Sequence, residues 1–270
     1  CGPLGDTDAH LFESLRPAIE LAQDRGTIYH NEIPHNTQLY RDVKAGDLPI
    51  APLSWDTKRA RLDAGFRELE RAGYTVVNVP YPSRTLPIET IAAEWLPAML
   101  RAHDAARATR VHFVTHSMGG IVLRAWLART TAAERAHLGR VVMLAPPNAG
   151  SEVSERLAAF PPFRWFTGVN GRRLGPRATD LPRALGPWPA DAPPPGIIAG
   201  DRPLNPLFSA WLPGPDDGNV SVASTRLAGM TDAIVLPHSH TWLMWRADTL
   251  VQVVNFLREG RFAPEAAGRP

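Results

Sequence analysis

Cysteine is almost missing from this chain: its 270 residues hold a single one, Cys1. A lone thiol cannot close a disulfide within the chain, so the fold has to stand on its apolar core. Lysine is nearly as scarce, with only Lys44 and Lys58, and the remaining positive charge is arginine. The basic residues are scattered, the net charge is only +2, and no basic stripe with interleaved aromatics occurs. That excludes a nucleic-acid surface and, with the abundant alanine and proline, fits a base-composition bias. No apolar run approaches the length of a membrane span. What is present, 44% hydrophobic and 21% charged residues, is the balance of one globular α/β domain with a well-buried core.

Short apolar runs alternate with amphipathic stretches. The runs Thr75–Val79, Val111–Thr115, Val141–Ala145, Gly196–Ala199 and Ala233–Leu236 read as strands. Helical patterns occupy Thr57–Ala72, Pro87–His103, Gly119–Arg129 and Thr249–Glu259. Val- and Ile-rich runs without alternation suit parallel strands covered on both faces. Strand and helix in succession argue βαβ units, hence a mostly parallel, doubly wound sheet. One domain is expected over residues 1–262, with residues 1–50 atypical and 263–270 a frayed tail. Between residues 151 and 195 the pattern weakens into prolines and the aromatics Phe160, Phe163, Trp165 and Phe166. This segment reads either as a cap whose aromatics wall a binding site or as a surface excursion packed on itself.

The most informative segment is Val111-His112-Phe113-Val114-Thr115-His116-Ser117-Met118-Gly119-Gly120. An apolar run stops at a serine flanked by small residues, and a helical stretch follows at once. This is the layout of a nucleophile elbow, in which a strained turn between strand and helix exposes one hydroxyl. Gly119 and Gly120 provide the missing side chains that such a turn requires. The new helix would aim free amides, that of Met118 first, at an oxyanion formed on a carbonyl attacked by Ser117. Thr115 stands where the usual pattern has glycine, a variant that a strand end tolerates.

A serine hydroxyl needs a histidine to take its proton and a carboxylate to orient that histidine. In a parallel sheet both belong on loops after later strands, in the order Ser, Asp, His. The loop after the last strand reads Leu236-Pro237-His238-Ser239-His240-Thr241-Trp242. His240, adjoining the helix start, is favoured over His238. For the acid, Pro215-Asp216-Asp217-Gly218-Asn219-Val220 is a tight turn, and Gly218 leaves Asp217 free to point at the imidazole. Asp216 is the near alternative and Asp201 the far one. His112 and His116 adjoin the serine in sequence, but the elbow turns such neighbours away, so packing or a surface role is expected of them.

Taken with Leu144-Ala145-Pro146-Pro147-Asn148-Ala149-Gly150-Ser151, these motifs resemble bacterial lipase/esterase-type α/β-hydrolases. The similarity runs from about Ala72 to Phe262. It implies an α/β-hydrolase fold with Ser117, Asp217 and His240 as the triad and Met118 N–H as one oxyanion donor. It further implies hydrolysis of a small-molecule or lipid carboxylic ester through an acyl-serine, with no cofactor. Relatives place a His-Gly pair before the helix equivalent to Thr57–Ala72, where the next amide completes the oxyanion hole. Here that place reads Leu48-Pro49-Ile50-Ala51-Pro52-Leu53-Ser54-Trp55, and ungapped counting puts the Trp55 N–H at the second donor position.

Two alternatives to the esterase stand beside it. An acyltransferase or thioesterase would use the same triad, because the leaving group and the acceptor are invisible in sequence; a catalytically silent scaffold that binds a partner is motivated by the altered oxyanion region. Tyr29-His30-Asn31-Glu32 with His35 looks superficially like a metal-ligand set, but its spacing fits no helix face, so no metal is expected. The Cys-Gly start resembles a bacterial lipoprotein after signal cleavage. On that reading a lipidated Cys1 would associate the protein with a membrane surface of the cell envelope; a trimmed longer chain is the other reading.

Overall fold

The computed structural model describes residues 65–67, 69–158, 168–204 and 206–264. They fall into two units that divide between Tyr81 and Pro82. In the first, residues 65–67 and 69–71 are helical. That helix ends as the left-handed Gly73 (φ +91°) donates to Glu70 O and Tyr74 N–H reaches back to Leu69 O, a Schellman closure. Residues 74–80, which include the expected strand Thr75–Val79, carry no strand assignment. An apolar run becomes a strand only where a neighbour completes its ladder, and the described residues provide none.

The second unit opens with a helix in three parts: α1 (Ile88–Thr90), a wider π turn over Ile91–Trp95, and α2 (Leu96–Ala102). Pro97 explains the widening. Its ring would clash with the carbonyl four residues earlier in a regular α-helix, and the π turn, with Leu96 N–H on Ile91 O, opens the spacing just before it. Asn170, from the 3₁₀ turn Gly168–Leu174, accepts from the first helical amide, Ile88 N, at 3.0 Å.

Then follow β1 (Val111–His116), α3 (Met118–Leu127), α4 (Ala132–Arg135), β2 (Leu138–Leu144), α5 (Glu152–Ala158), α6 (Leu181–Ala184) and β3 (Gly196–Gly200). The last elements are α7 (Pro206–Ser209), α8 (Val222–Thr225), β4 (Asp232–Leu236), α9 (His240–Leu243) and α10 (Ala247–Glu259). The strands form one parallel sheet in the order β1-β2-β3-β4. Side chains alternate across it. Val141, Met143 and Ile197 join Leu123 and Leu127 of α3 in one core cluster. Gly196, paired with Val142, faces the other way, where a Cβ would sit 2.3 Å from the Phe256 ring of α10. Helices therefore cover both faces, which is why β3 is apolar without alternation and buried throughout.

The ladder between β1 and β2 slips between Val111 and Phe113. There the Arg140 N–H donates to His112 Nδ1 at 3.0 Å, so an imidazole replaces a missing carbonyl. His112 is held neutral, its pKa lowered by burial and by Arg140 and Arg110.

Arg124, in the helix that starts at Met118, is 4% exposed and has no carboxylate partner among the described residues. Its guanidinium donates to the Asn148 carbonyl and Oδ1 at 3.1 Å each, to Pro182 O at 2.8 Å and to Gly186 O at 2.6 Å. Burial lowers its pKa to about 10, so it remains a cation at neutral pH. It ties α3, the helix that follows Ser117, to the loop after β2 and to the residues around α6. Replacing Arg124 with Met keeps the stem but strands those acceptors; urea unfolding is expected to show a loss of about 3 kcal/mol or more.

Candidate active site

The carboxyl ends of parallel strands share one rim of a sheet, and the favoured residues lie on it. Ser117 follows β1 directly, Asp217 lies in the connection after β3, and His240 lies four residues beyond the end of β4.

Ser117 has φ 53° and ψ −125°, a conformation that costs a residue with a Cβ about 1–3 kcal/mol. Its N–H is secured by Leu144 O at 2.8 Å and its carbonyl by Gly120 N at 3.0 Å. A Cβ on Gly120 would lie 3.1 Å from Pro146 Cβ, so any larger residue there would have to push the loop after β2 away by a few tenths of an ångström. Thr115 is a ladder residue opposite Met143, a place where a β-branched side chain belongs. Met118 is the first helical residue, and its amide is one of those an α-helix leaves without an internal acceptor. Trp55, with all of Leu48–Trp55, lies outside the described residues, as do Cys1, Tyr29–His35 and the aromatics Phe160, Phe163, Trp165 and Phe166.

The Ser117 hydroxyl is 2.9 Å from His240 Nε2, and His240 Nδ1 is 2.7 Å from Asp217 Oδ2. Asp217 is 2% exposed, and its other oxygen, Oδ1, accepts from Asn219 N at 2.9 Å and Val220 N at 2.8 Å. A carboxylate so placed only accepts, which puts the ring proton of His240 on Nδ1 and leaves the Nε2 lone pair for the serine proton. The two residues are joined a second time, by His240 N–H on Asp217 O at 2.9 Å. Such a chain can receive a proton from Ser117 and hold the resulting imidazolium.

The alternatives fall elsewhere. His238 turns to Asp248 of α10, with Nε2 2.7 Å from Oδ2. Asp216 accepts from Ser209 Oγ at 2.5 Å and Gly218 N at 2.7 Å. Asp201 faces Arg202 Nε at 3.6 Å. Among the described residues no three His, Cys, Asp or Glu side chains gather as metal ligands do.

Sequence reasoning missed several supporting groups. Ser151 Oγ donates to Asn219 O at 2.7 Å, and Asn148 Nδ2 donates to Thr225 O at 2.8 Å. The stretch Leu144–Ser151 therefore braces the turn that carries Asp217. His116, expected to pack or face solvent, lies beneath the imidazole of His240. Its Nε2 is 2.9 Å from the His240 carbonyl oxygen, and the two ring centroids are 4.8 Å apart. Because a carbonyl only accepts, Nε2 carries the proton. Burial first, and the neighbouring His240 second, push the His116 pKa down to about 3.

A model of the alpha/beta hydrolase family matches residues 46–269. The chain belongs to the alpha/beta hydrolase family, and its parallel sheet with helices on both faces is that family's fold. Among solved structures it is similar to phospholipase PlaB from Legionella pneumophila, with TM-score 0.60 and 17% identity over 76% of this chain and 58% of that one. It is also similar to the propeptide form of the lipase BlEst2 from Bacillus licheniformis, with TM-score 0.51 and 17% identity over 70% of this chain and 44% of that one. Lipase 1 from Pelosinus fermentans gives TM-score 0.50 and 14% identity over 72% of this chain and 90% of that one. No curated protein sequence matches the chain.

The buried neutral His116 gives stability a pH dependence. Its folded pKa, about 3, lies below the ordinary 6.5, so the unfolded chain binds the proton first as pH falls. Its contribution is complete above pH 6.5 and is lost progressively from there toward pH 3, by up to about 1.4 kcal/mol per unit. Between about pH 7 and 5 denaturant unfolding should lose roughly 2 kcal/mol from this residue. His116→Gln, which cannot titrate, should lack that part of the slope.

Proposed function

We propose that this chain is a serine hydrolase that cleaves carboxylic esters through an acyl-serine intermediate. The observation that carries this reading is the continuous chain from Asp217 Oδ2 through His240 to Ser117 Oγ, at 2.7 and 2.9 Å. Ser117 Oγ attacks the ester carbonyl carbon as its proton passes to His240 Nε2. Asp217 stabilises the imidazolium, and the carbonyl oxygen, now an anion, faces the Met118 N–H. When the tetrahedral intermediate collapses, His240 returns the proton to the departing alcohol and the acyl group stays on Ser117. A water molecule, deprotonated by the same imidazole, then releases the acid.

The solved neighbours are named lipases and a phospholipase; at 14–17% identity they speak for the fold, and the ester chemistry rests on the three side chains. We assign the substrate to small-molecule or lipid esters. The excursion 151–195 enters after β2, at the same end of the sheet as Ser117, and we assign it as the cap. An acyltransferase or thioesterase would begin with the same acyl-serine and differ in what accepts or leaves.

A fluorophosphonate should label the wild-type protein and leave Ser117→Ala unlabelled. Absence of labelling on folded wild-type protein would favour the silent scaffold. With p-nitrophenyl esters of increasing acyl length, wild type should turn over at least part of the series. Asp217→Asn, which stabilises the wrong tautomer, should lower kcat by about 10³- to 10⁴-fold. Rates at background across the whole series would sink the esterase.

A further inference from the structure

The residue that precedes the nucleophile in sequence reaches across 124 positions to hold the backbone of the base. His240 opens the short helix α9 behind Ser239, on the loop after β4. Its amide is bonded to Asp217 O, and its carbonyl accepts from His116 Nε2. Both main-chain groups of His240 are thus bonded to other parts of the chain. The root of the imidazole cannot slide along the rim without breaking one of these bonds. His116 itself is placed at the end of β1, where its backbone pairs with Leu144, the same residue whose carbonyl secures Ser117 N–H. One strand end therefore sets the positions of both partners in the proton transfer.

We propose that His116 is a positioning residue, which by donating from Nε2 to the His240 carbonyl fixes the distance between His240 Nε2 and Ser117 Oγ. This rests on the hydrolase reading above. The chemistry of the side chain suits the task. A lysine or arginine would donate too, but its charge would stand beside the imidazolium that forms when His240 takes the serine proton. A phenylalanine would fill the space and leave a buried carbonyl without its donor. A neutral imidazole donates and adds no charge.

The test compares His116→Phe, which removes the donor and keeps a flat ring, with His116→Gln, which keeps an N–H at similar reach. Folding is checked by circular dichroism and thermal melting. Active sites are counted with a fluorophosphonate, and kcat and KM are measured per counted site with a p-nitrophenyl ester. A displaced base should lower kcat per site by about ten- to a hundredfold in the Phe variant, with KM nearly unchanged, and Gln should recover most of it. A merely structural role would lower the number of labelled sites and leave kcat per site alone. An unchanged kcat per site in His116→Phe, or equal losses in both variants, would overturn the proposal. If the Phe variant fails to fold, His116→Met is the second donor-free replacement.

Failure of the hydrolase reading is seen separately, as wild-type protein that neither labels nor turns over. In that event nitrogen-15 NMR of the histidines decides the contact. A neutral His116 with its proton on Nε2 at about pH 7 supports it, and a proton on Nδ1 overturns it.

Discussion

The arrangement at the sheet rim depends on how His240 is held. Asp217 grips it twice, by carboxylate and by main-chain carbonyl, while His116 takes its carbonyl from below. The remaining contact, to Ser117, is the one the proposed chemistry would use. An imidazole is a useful base only while its ring points one way with one nitrogen free. The bond from Nδ1 to the acceptor-only carboxylate of Asp217 settles the tautomer, and bonds at both main-chain groups settle the ring's origin. The demand then passes outward: Asp217 is fixed by the amides of its own turn, and that turn by Ser151 from the loop after β2.

Much of this could be read from residues alone. The runs within β2 and β3 were legible because a parallel strand covered on both faces writes itself as an almost uninterrupted apolar run, whereas β1 and β4, partly buried, were legible from their shorter Val-, Phe- and Ile-bearing stretches. Thr75–Val79 has the same texture, yet no ladder partner is described for it. Pairing is a property of two segments and leaves no mark in one. The elbow was legible for the opposite reason: a serine at positive φ beside glycines leaves a local signature that few other structures share. The choice between Asp216 and Asp217 follows from geometry, since neighbours on an extended turn point to opposite sides. A bridge from Asp216 to Ser221 sets which one turns toward the imidazole. His238 and His240 could be ranked by their distance from the helix start; their separation came from Asp248, ten residues further on.

What the letters hid were polar groups whose partners lie far along the chain. Arg124, one of many scattered arginines in the sequence, proves to be a buried four-pronged tie. His112, expected to pack or to take a surface role, proves to replace a ladder carbonyl. In each case the side chain satisfies backbone groups that irregular geometry has left over. Sequence patterns report burial of apolar surface well and report this second kind of debt poorly.

Ser117 and Ala145 stand at the ends of adjacent strands, and both carry positive φ without being glycine, at 53° and 45°. Conformations of that kind persist only while their surroundings forbid relaxation. On warming, the rim can loosen locally well before the buried strands separate. The half-buried Ser117 hydroxyl would then swing out of line while the helices remain intact. For the hydrolase proposed above, the stiffness of these two turns would then limit the lifetime of activity, with heat silencing it at temperatures where circular dichroism still looks native.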